Sequence, residues 1–375
     1  MNRKTGMNWQ TYIENQINEI RENSQWRQTI PTESKEYLVF ASNDYLGLKS
    51  NKRVIKAVTK ATTCEVGTGA SRLVTGTRQI HKDLESQLAD YKNTESALVF
   101  SSGYSANIGV LSVLGTTNVC IISDELNHAS IVDGCRLSRS EVLKFSHRNL
   151  KDCENKINEA LNKNLLPLVV TDSVFSMDGD IADINSLGDL CKKYNSFLVI
   201  DDAHNVFNEH YEIDSDRTSI VGTLSKTLGS LGGYVAGKQE IIDLLVNKAR
   251  SFIFTTALSV ADTAAALESL RIINSDEGQF LLDKLKSNII YFKKSMEIDS
   301  KWLTPIVPVI IGSEDKALEV AKILKENKII VPAIRPPTVP KGTSRLRITL
   351  SALHEFEEID FLVSALKNAL TVLNK

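Results

Sequence analysis

Long apolar runs, a basic surplus and a cysteine framework are all missing from this chain of 375 residues. No stretch approaches the roughly 18 uninterrupted apolar residues of a membrane helix, so no membrane association is expected. Residues 1–27 are charged and amide-rich throughout and lack the apolar core of a secretory signal. Lysine and arginine number 44 against 46 aspartates and glutamates, for a net charge of −2. Nucleic-acid binders carry a cationic surplus that neutralises phosphates, so no nucleic-acid partner is expected either. The five cysteines (Cys64, Cys120, Cys135, Cys153 and Cys191) are odd in number, widely spaced and form no CxxC pair. That pattern argues against disulfides or a structural metal and for reduced thiols in a cytoplasmic protein. Glycine is missing at a third decisive place: Gly67 and Gly69 are not followed by the residue that would complete GxGxxG. A nicotinamide-dependent oxidoreductase therefore lacks its dinucleotide fingerprint here.

What remains is ordinary globular material, 42% hydrophobic and 24% charged. Its length suits roughly two domains of about 150 residues. Trp9, Ile13, Ile17 and Ile20 recur at helical spacing and predict an amphipathic helix over residues 7–27. A short strand is expected at 37–40. The middle of the chain alternates apolar runs at 97–100, 119–122, 168–170, 197–200 and 219–221 with helix-length segments such as 79–91, 150–161 and 186–194. Continuous apolar strands separated by helices predict a parallel sheet covered on both faces, an α/β fold. Of eight prolines none falls between Pro167 and Pro305, which leaves that region free for regular structure. Past Pro305 the texture changes to strand-like runs at 306–311, 329–331 and 345–350, a helix at 316–327 and a last helix from Glu355. The expected organisation is an N-terminal arm over 1–50, a large α/β domain over 51–275 and a smaller α+β domain over 276–375.

Each central run ends in polar residues: Ser101-Ser-Gly103, Ser123-Asp124, Thr171-Asp-Ser173, Asp201-Asp202 and Thr223-Leu-Ser-Lys226. In an open parallel sheet the ligand crevice lies outside those carboxyl ends. Ser101 to Asn107 reads as a strand end, a glycine turn and a helix start, where N–H groups and the helix dipole favour a phosphate. By itself it is equally an ordinary capped turn. Asp201 and Asp202 directly after a buried strand are costly unless paired, so either both are solvated or Asp201 faces a cationic ligand group. Lys226, flanked by hydroxyls and glycines, suits a lysine whose amine is depressed by burial for covalent work. A phosphate cup, an acidic strand end and a sheltered lysine together suit pyridoxal 5'-phosphate.

At these residues the chain resembles the α-oxoamine synthases, a pyridoxal-phosphate family with the aspartate-aminotransferase fold (fold type I). The matching motifs are Ser42-Asn-Asp-Tyr-Leu-Gly-Leu48, Gly67-Thr-Gly-Ala-Ser-Arg72, Ser102-Gly-Tyr-Ser-Ala-Asn107, Asn127-His-Ala-Ser130, Ser173-Val-Phe-Ser-Met-Asp-Gly179, Asp201-Asp-Ala-His204 and the Lys226 segment. The resemblance implies that Lys226 binds the cofactor covalently, Asp201 pairs with its ring nitrogen and His204 meets its phenolic oxygen. It implies a stacking and catalytic role for His128, and cofactor contacts from Gly103, Tyr104, Ser176, Thr223 and, across a homodimer interface, Thr256. Arg347 and Asn43 would take the amino-acid carboxylate, Arg27 and Thr338 the acyl substrate. Arg27 is equally readable as a solvated helix-end residue and His128 as a packed core histidine.

Val331-Pro-Ala-Ile-Arg-Pro-Pro-Thr-Val-Pro340 with Arg345-Leu-Arg347 is similar to the branch of the family that makes the biotin precursor 8-amino-7-oxononanoate. That likeness implies decarboxylative condensation of L-alanine with a pimeloyl thioester, on coenzyme A or a carrier protein. The alternatives are a glycine-using member, such as glycine C-acetyltransferase or an aminolevulinate-forming enzyme, and a non-catalytic partner subunit. Two departures from the family pattern stand out. Lys226 follows His204 after only 22 residues, and Ser259-Val260 replaces paired prolines.

Overall fold

The structure, a computed structural model, describes residues 8–23, 25–31, 36–208 and 210–373. Its main sheet has seven strands: β1 (Ser96–Phe100), β2 (Val119–Asp124), β3 (Glu141–Phe145), β4 (Leu166–Asp172), β5 (Phe197–Asp201), β6 (Thr218–Thr223) and β7 (Gly233–Gly237). They lie in the order β1-β7-β6-β5-β4-β2-β3. β2, β3, β4, β5 and β6 pair in parallel, while β7 runs antiparallel to both β6 and β1. Every strand but β7 therefore ends on the same edge of the sheet. The mostly parallel α/β architecture expected from the alternation is what forms.

Helix α1 (Gln79–Lys92) leads into β1, and α2 (Gly103–Leu114), α3 (Ala129–Leu137), α4 (Leu150–Asn162) and α5 (Ile184–Lys193) connect successive strands. Consecutive residues of one strand enter different cores, as a period of two requires. Ile121, Val170, Val199 and Val221 pack with Leu98, Val110 and Phe252 on one face. Cys120, Ile122, Val169, Leu198 and Ile200 pack with Phe145, Ile157 and Leu187 on the other. Each fully buried aliphatic side chain contributes about 1.5–3 kcal/mol of burial.

Two strands escape sequence pattern. β3 is an edge strand with only Phe145 fully buried, so its sequence does not read as an apolar run. β7 begins and ends in glycine because a Cβ at Gly233 would lie 2.4 Å from the main-chain N of Gly103. Close backbone approach overrides strand propensity there.

The chain divides into two units. The larger spans Ser42–Ile306 with Leu350–Glu355; the other gathers Met1–Ala41, Val307–Thr349 and Phe356–Lys375. Residues 42–50 and 276–306, expected in the arm and the small domain, thus fall in the larger unit. The reason is local: Arg53 on helix Lys52–Ala61 bonds Glu268 and Glu277, joining that helix to Val260–Ile273 and Asp276–Ser295. In the second unit Leu38–Val39 pairs in parallel with Ile329–Ile330, and Ala333–Ile334, Ser344–Thr349 and Ile306–Gly312 form a three-stranded sheet. The first helix covers Trp9–Glu22, with the Asn8 side chain accepting from the Thr11 N–H, and none of its residues is buried. Among the described residues no helix is long and apolar enough to cross a membrane.

Candidate active site

Asp201 is the last residue of β5 and lies in register beside Asp172, the last residue of β4. Neighbours in register project from the same face of a sheet, so two carboxyls share one buried spot. Asp201 Oδ2 accepts from Asn107 Nδ2 at 2.6 Å, and Oδ1 from the Ala203 N–H at 3.1 Å. Asp172 Oδ2 accepts from the His128 N–H at 2.8 Å. Burial, then the negative charge of Asp201, push the Asp172 carboxyl well above the usual range, against the lowering effect of that N–H. Of the two, Asp201 is the one with both carboxylate oxygens held by donors.

Asn107 also donates to Ser130 Oγ at 2.9 Å, and Ser130 Oγ lies 2.7 Å from His128 Nδ1. Nδ1 accepts from the Ser130 N–H as well, at 3.2 Å. An acceptor Nδ1 leaves the proton on Nε2 and the ring neutral. Burial lowers the His128 pKa, with the Lys226 charge adding to the effect and Asp201 opposing it.

Lys226, in the turn after β6, places Nζ 2.7 Å from His204 Nε2. An ammonium can only donate, so Nε2 accepts and Nδ1 carries the hydrogen. Nδ1 lies 2.6 Å from the fully buried Tyr45 hydroxyl, which donates in turn to Asn43 Oδ1 at 3.3 Å. The result is a relay from Lys226 through His204 and Tyr45 to Asn43.

The short connection after His204 is held by a buried ion pair. Lys92 Nζ meets Asp202 Oδ2 at 2.5 Å and Asn208 Oδ1 at 2.7 Å, and the Tyr211 hydroxyl donates to Asp202 Oδ1 at 2.7 Å. Asp202 thus faces away from the role of Asp201 and anchors the turn that carries His204. The second departure is also accommodated: Ser259 Oγ accepts from the Asp262 N–H at 2.9 Å and caps helix Val260–Ile273.

Gly103 opens α2 directly beside the end of β6; a Cβ on it would approach Thr223 Cβ to 3.3 Å. Ser102 Oγ caps the helix by accepting from the Ser105 N–H at 3.0 Å. The first N–H groups of a helix, here those of Gly103 and Tyr104, lie outside its internal ladder and suit an anion. Thr223 Oγ1 donates to Gly232 O at 3.0 Å and lies 2.8 Å from Ser225 Oγ. The exposed Tyr104 bonds Asp133 on α3. Ser176 sits in a turn between the bridged residues Val174 and Ile181. Thr256 is exposed and bridges to Ser71. Arg27, Thr338 and Arg347 belong to the second unit. Arg347 is buried, with Nη1 donating to Thr349 Oγ1 at 3.1 Å; Arg27 and Thr338 are exposed.

Residues from the ends of β4, β5 and β6 and the start of α2 and α3 therefore converge, whereas motif spacing gave no role to Tyr45, Asn107, Ser130 or Asp172. Asn107 did have one usable signal: it follows Gly103 by four residues and so faces the same way from α2.

These groups fit pyridoxal phosphate. An amine is held next to a histidine, a buried carboxylate has one oxygen fixed by an amide, and Gly233 lets the start of α2 close in where a Cβ would block it. Fold and site together define a pyridoxal-phosphate-dependent enzyme of fold type I. More particularly, the chain belongs to the aminotransferase class I and II family, which it matches over residues 35–366. It is 40% identical to an 8-amino-7-oxononanoate synthase of Thermoanaerobacter pseudethanolicus, covering 97% of this chain and 98% of that one. It is 41% identical to the 8-amino-7-oxononanoate synthase of Lysinibacillus sphaericus, over 89% of this chain and 88% of the other. Among solved structures, the serine palmitoyltransferase of Sphingomonas wittichii superposes with a TM-score of 0.90 at 27% identity, covering 98% and 99% of the two chains.

Proposed function

We infer that this chain is an 8-amino-7-oxononanoate synthase: a pyridoxal-phosphate-dependent acyltransferase that condenses L-alanine with a pimeloyl thioester in biotin synthesis. The observation that carries the reading is the convergence of Lys226, His204 and Asp201 in a chain 40–41% identical to enzymes of that name over nearly its whole length.

When bound, the cofactor supplies an aldehyde that captures amines and a ring that accepts electrons from the amino acid's α-carbon. Asp201, fixed by Asn107, would pair with the ring nitrogen of the cofactor; an ion pair at about 4 Å and an effective dielectric near 20 interacts by roughly 4 kcal/mol. His204 orients the phenolic oxygen and holds Lys226 Nζ in place. His128 would stack on the cofactor ring, while Gly103, Tyr104, Ser176, Thr223 and Thr256 would take the remaining contacts. Lys226 would hold the cofactor, and its amine would be the group that takes the α-proton of alanine and returns a proton to the same carbon. The overall reaction would join the α-carbon of alanine to the acyl carbonyl and release the thiol and carbon dioxide. Arg347, whose planar fork matches a carboxylate, and Asn43 bind alanine; Arg27 and Thr338 bind the acyl chain.

A homodimer accords with the exposed apolar side chains Val66, Leu73, Val74 and Phe254 flanking the Ser71–Thr256 bridge. A cytoplasmic setting accords with five free cysteines. Purified enzyme offered alanine or glycine with pimeloyl-CoA tests the reading: product forms with alanine, and preferential turnover of glycine contradicts it.

A further inference from the structure

One half-buried charge cluster takes no part in the chemistry above. His147 follows β3 and lies between two strand-end elements. Its Nδ1 is 3.0 Å from Asp124 Oδ1, at the end of β2, and its Nε2 is 2.9 Å from Asp180 Oδ2. Its main-chain N–H donates to Glu125 Oε1 at 2.8 Å, and its ring stands edge-on to Phe175 at 4.4 Å. Arg148 also faces this cluster, donating from Nη1 to Asp180 Oδ2 at 3.0 Å and from its main chain to Asp124 Oδ2 at 2.9 Å.

Both ring nitrogens face carboxylates, and only an imidazolium can donate to two acceptors at once. Burial pushes the His147 pKa down, but the hydrogen bonds to Asp124 and Asp180 and then their charges outweigh it, raising it to about 9.

Asp180 closes the turn that carries Ser176. The Phe175 N–H donates to Asp180 O at 3.0 Å, Gly179 N–H to Phe175 O at 2.8 Å, and Ala182 N–H to Ser173 O at 2.9 Å. The turn is seated from below as well: Gly179 has φ +67°, and a Cβ there would fall 2.1 Å from Ile306 O. Asp124, at the opposite end, starts the turn leading to Asn127 and His128, and the Leu126 N–H donates to its Oδ1 at 2.9 Å. The two turns that bear Ser176 and His128 are thus joined through one ring.

We propose that His147 is a positioning residue, a charged clamp between Asp124 and Asp180 that fixes the 173–182 turn and so sets Ser176 at the cofactor. The clamp part stands on this geometry alone; the cofactor part rests on the function inferred above.

Hydrogen exchange on the holoenzyme, corrected for intrinsic rates, tests it together with a pyridoxal phosphate titration. His147→Gln should exchange the amides of Phe175, Gly179 and Ala182 at least ten-fold faster, leave β4 and β5 unchanged and bind pyridoxal phosphate about ten-fold more weakly. Asp180→Asn, which removes one carboxylate but keeps the turn's shape, should act in the same direction. The native-state pKa lies above the unfolded value near 6.5, so the clamp holds fully below pH 6.5. It weakens as pH rises through about 9. Wild-type turn exchange should therefore accelerate across that window, and His147→Gln should show no such acceleration. Turn exchange equal to wild type in both variants overturns the clamp. A loosened turn with unchanged cofactor affinity overturns its link to Ser176. A wild-type protein that binds no pyridoxal phosphate but keeps the pH-dependent turn contradicts the functional reading instead.

Discussion

Lys226 Nζ stands 2.7 Å from His204 Nε2, and that pair ties the lysine to residues far away in the chain. His204 is oriented from behind by the Tyr45 hydroxyl at 2.6 Å. Replacing that hydroxyl with hydrogen leaves the ring packed but removes the Tyr45 hydrogen bond to its Nδ1. Losing a buried hydrogen bond of this kind costs about 1–3 kcal/mol. Tyr45→Phe should lower kcat roughly ten-fold with a smaller change in the KM for alanine, as steady-state kinetics will read. Unchanged kcat would remove Tyr45 from the relay.

Asp201 is fixed by Asn107 and lies in register beside the buried Asp172. Asp201→Asn removes the charge while keeping the shape. Uncoupling a buried pair costs about 3–5 kcal/mol, so the cofactor should bind on the order of a hundred-fold more weakly or worse in a spectroscopic titration. Wild-type affinity would separate Asp201 from the cofactor nitrogen.

Strand ends explain which of these residues sequence could supply. A run of five apolar β-strands with polar final residues already places Asp201, Thr223 and Lys226 on one edge, because parallel strands all finish there. The lysine, aspartate and histidine were legible for that reason and through the motif likeness. Tyr45 and Asn107 were not, since their partners lie 159 and 94 residues away, His204 and Asp201 respectively. Pairing at that distance is decided by how layers pack, which no local pattern encodes. The second unit's Arg347 was legible only as part of a motif. β3 and β7 were hidden because an edge strand needs few apolar residues and a glycine-walled strand violates propensity.

The buried pair Lys92–Asp202 stabilises the short connection after His204. Lys92→Met leaves a carboxylate stranded in the interior and should destabilise the fold by about 3–5 kcal/mol. Calorimetry should then show a Tm lower by several degrees. Lys163→Met, which removes an exposed cation from Glu141 and Glu159, should leave Tm nearly unchanged. Equal shifts would mean that burial of the first pair contributes nothing.

Gly233 and Gly103 touch backbone to backbone. Gly233→Ala forces a methyl group to within 2.4 Å of a main-chain nitrogen, and overpacking of this kind costs about 1–3 kcal/mol. The variant should lose both thermal stability and cofactor affinity, because the helix start that suits the phosphate must move. A variant with normal affinity would place the phosphate elsewhere.

The most direct measurement is borohydride reduction of the purified holoenzyme, followed by mass mapping of its peptides. The account predicts loss of the visible absorbance band and a stable pyridoxyl adduct on the peptide containing Lys226, absent from a folded Lys226→Ala variant. An adduct on another lysine, or no adduct on a protein that still converts alanine and the thioester, would contradict it.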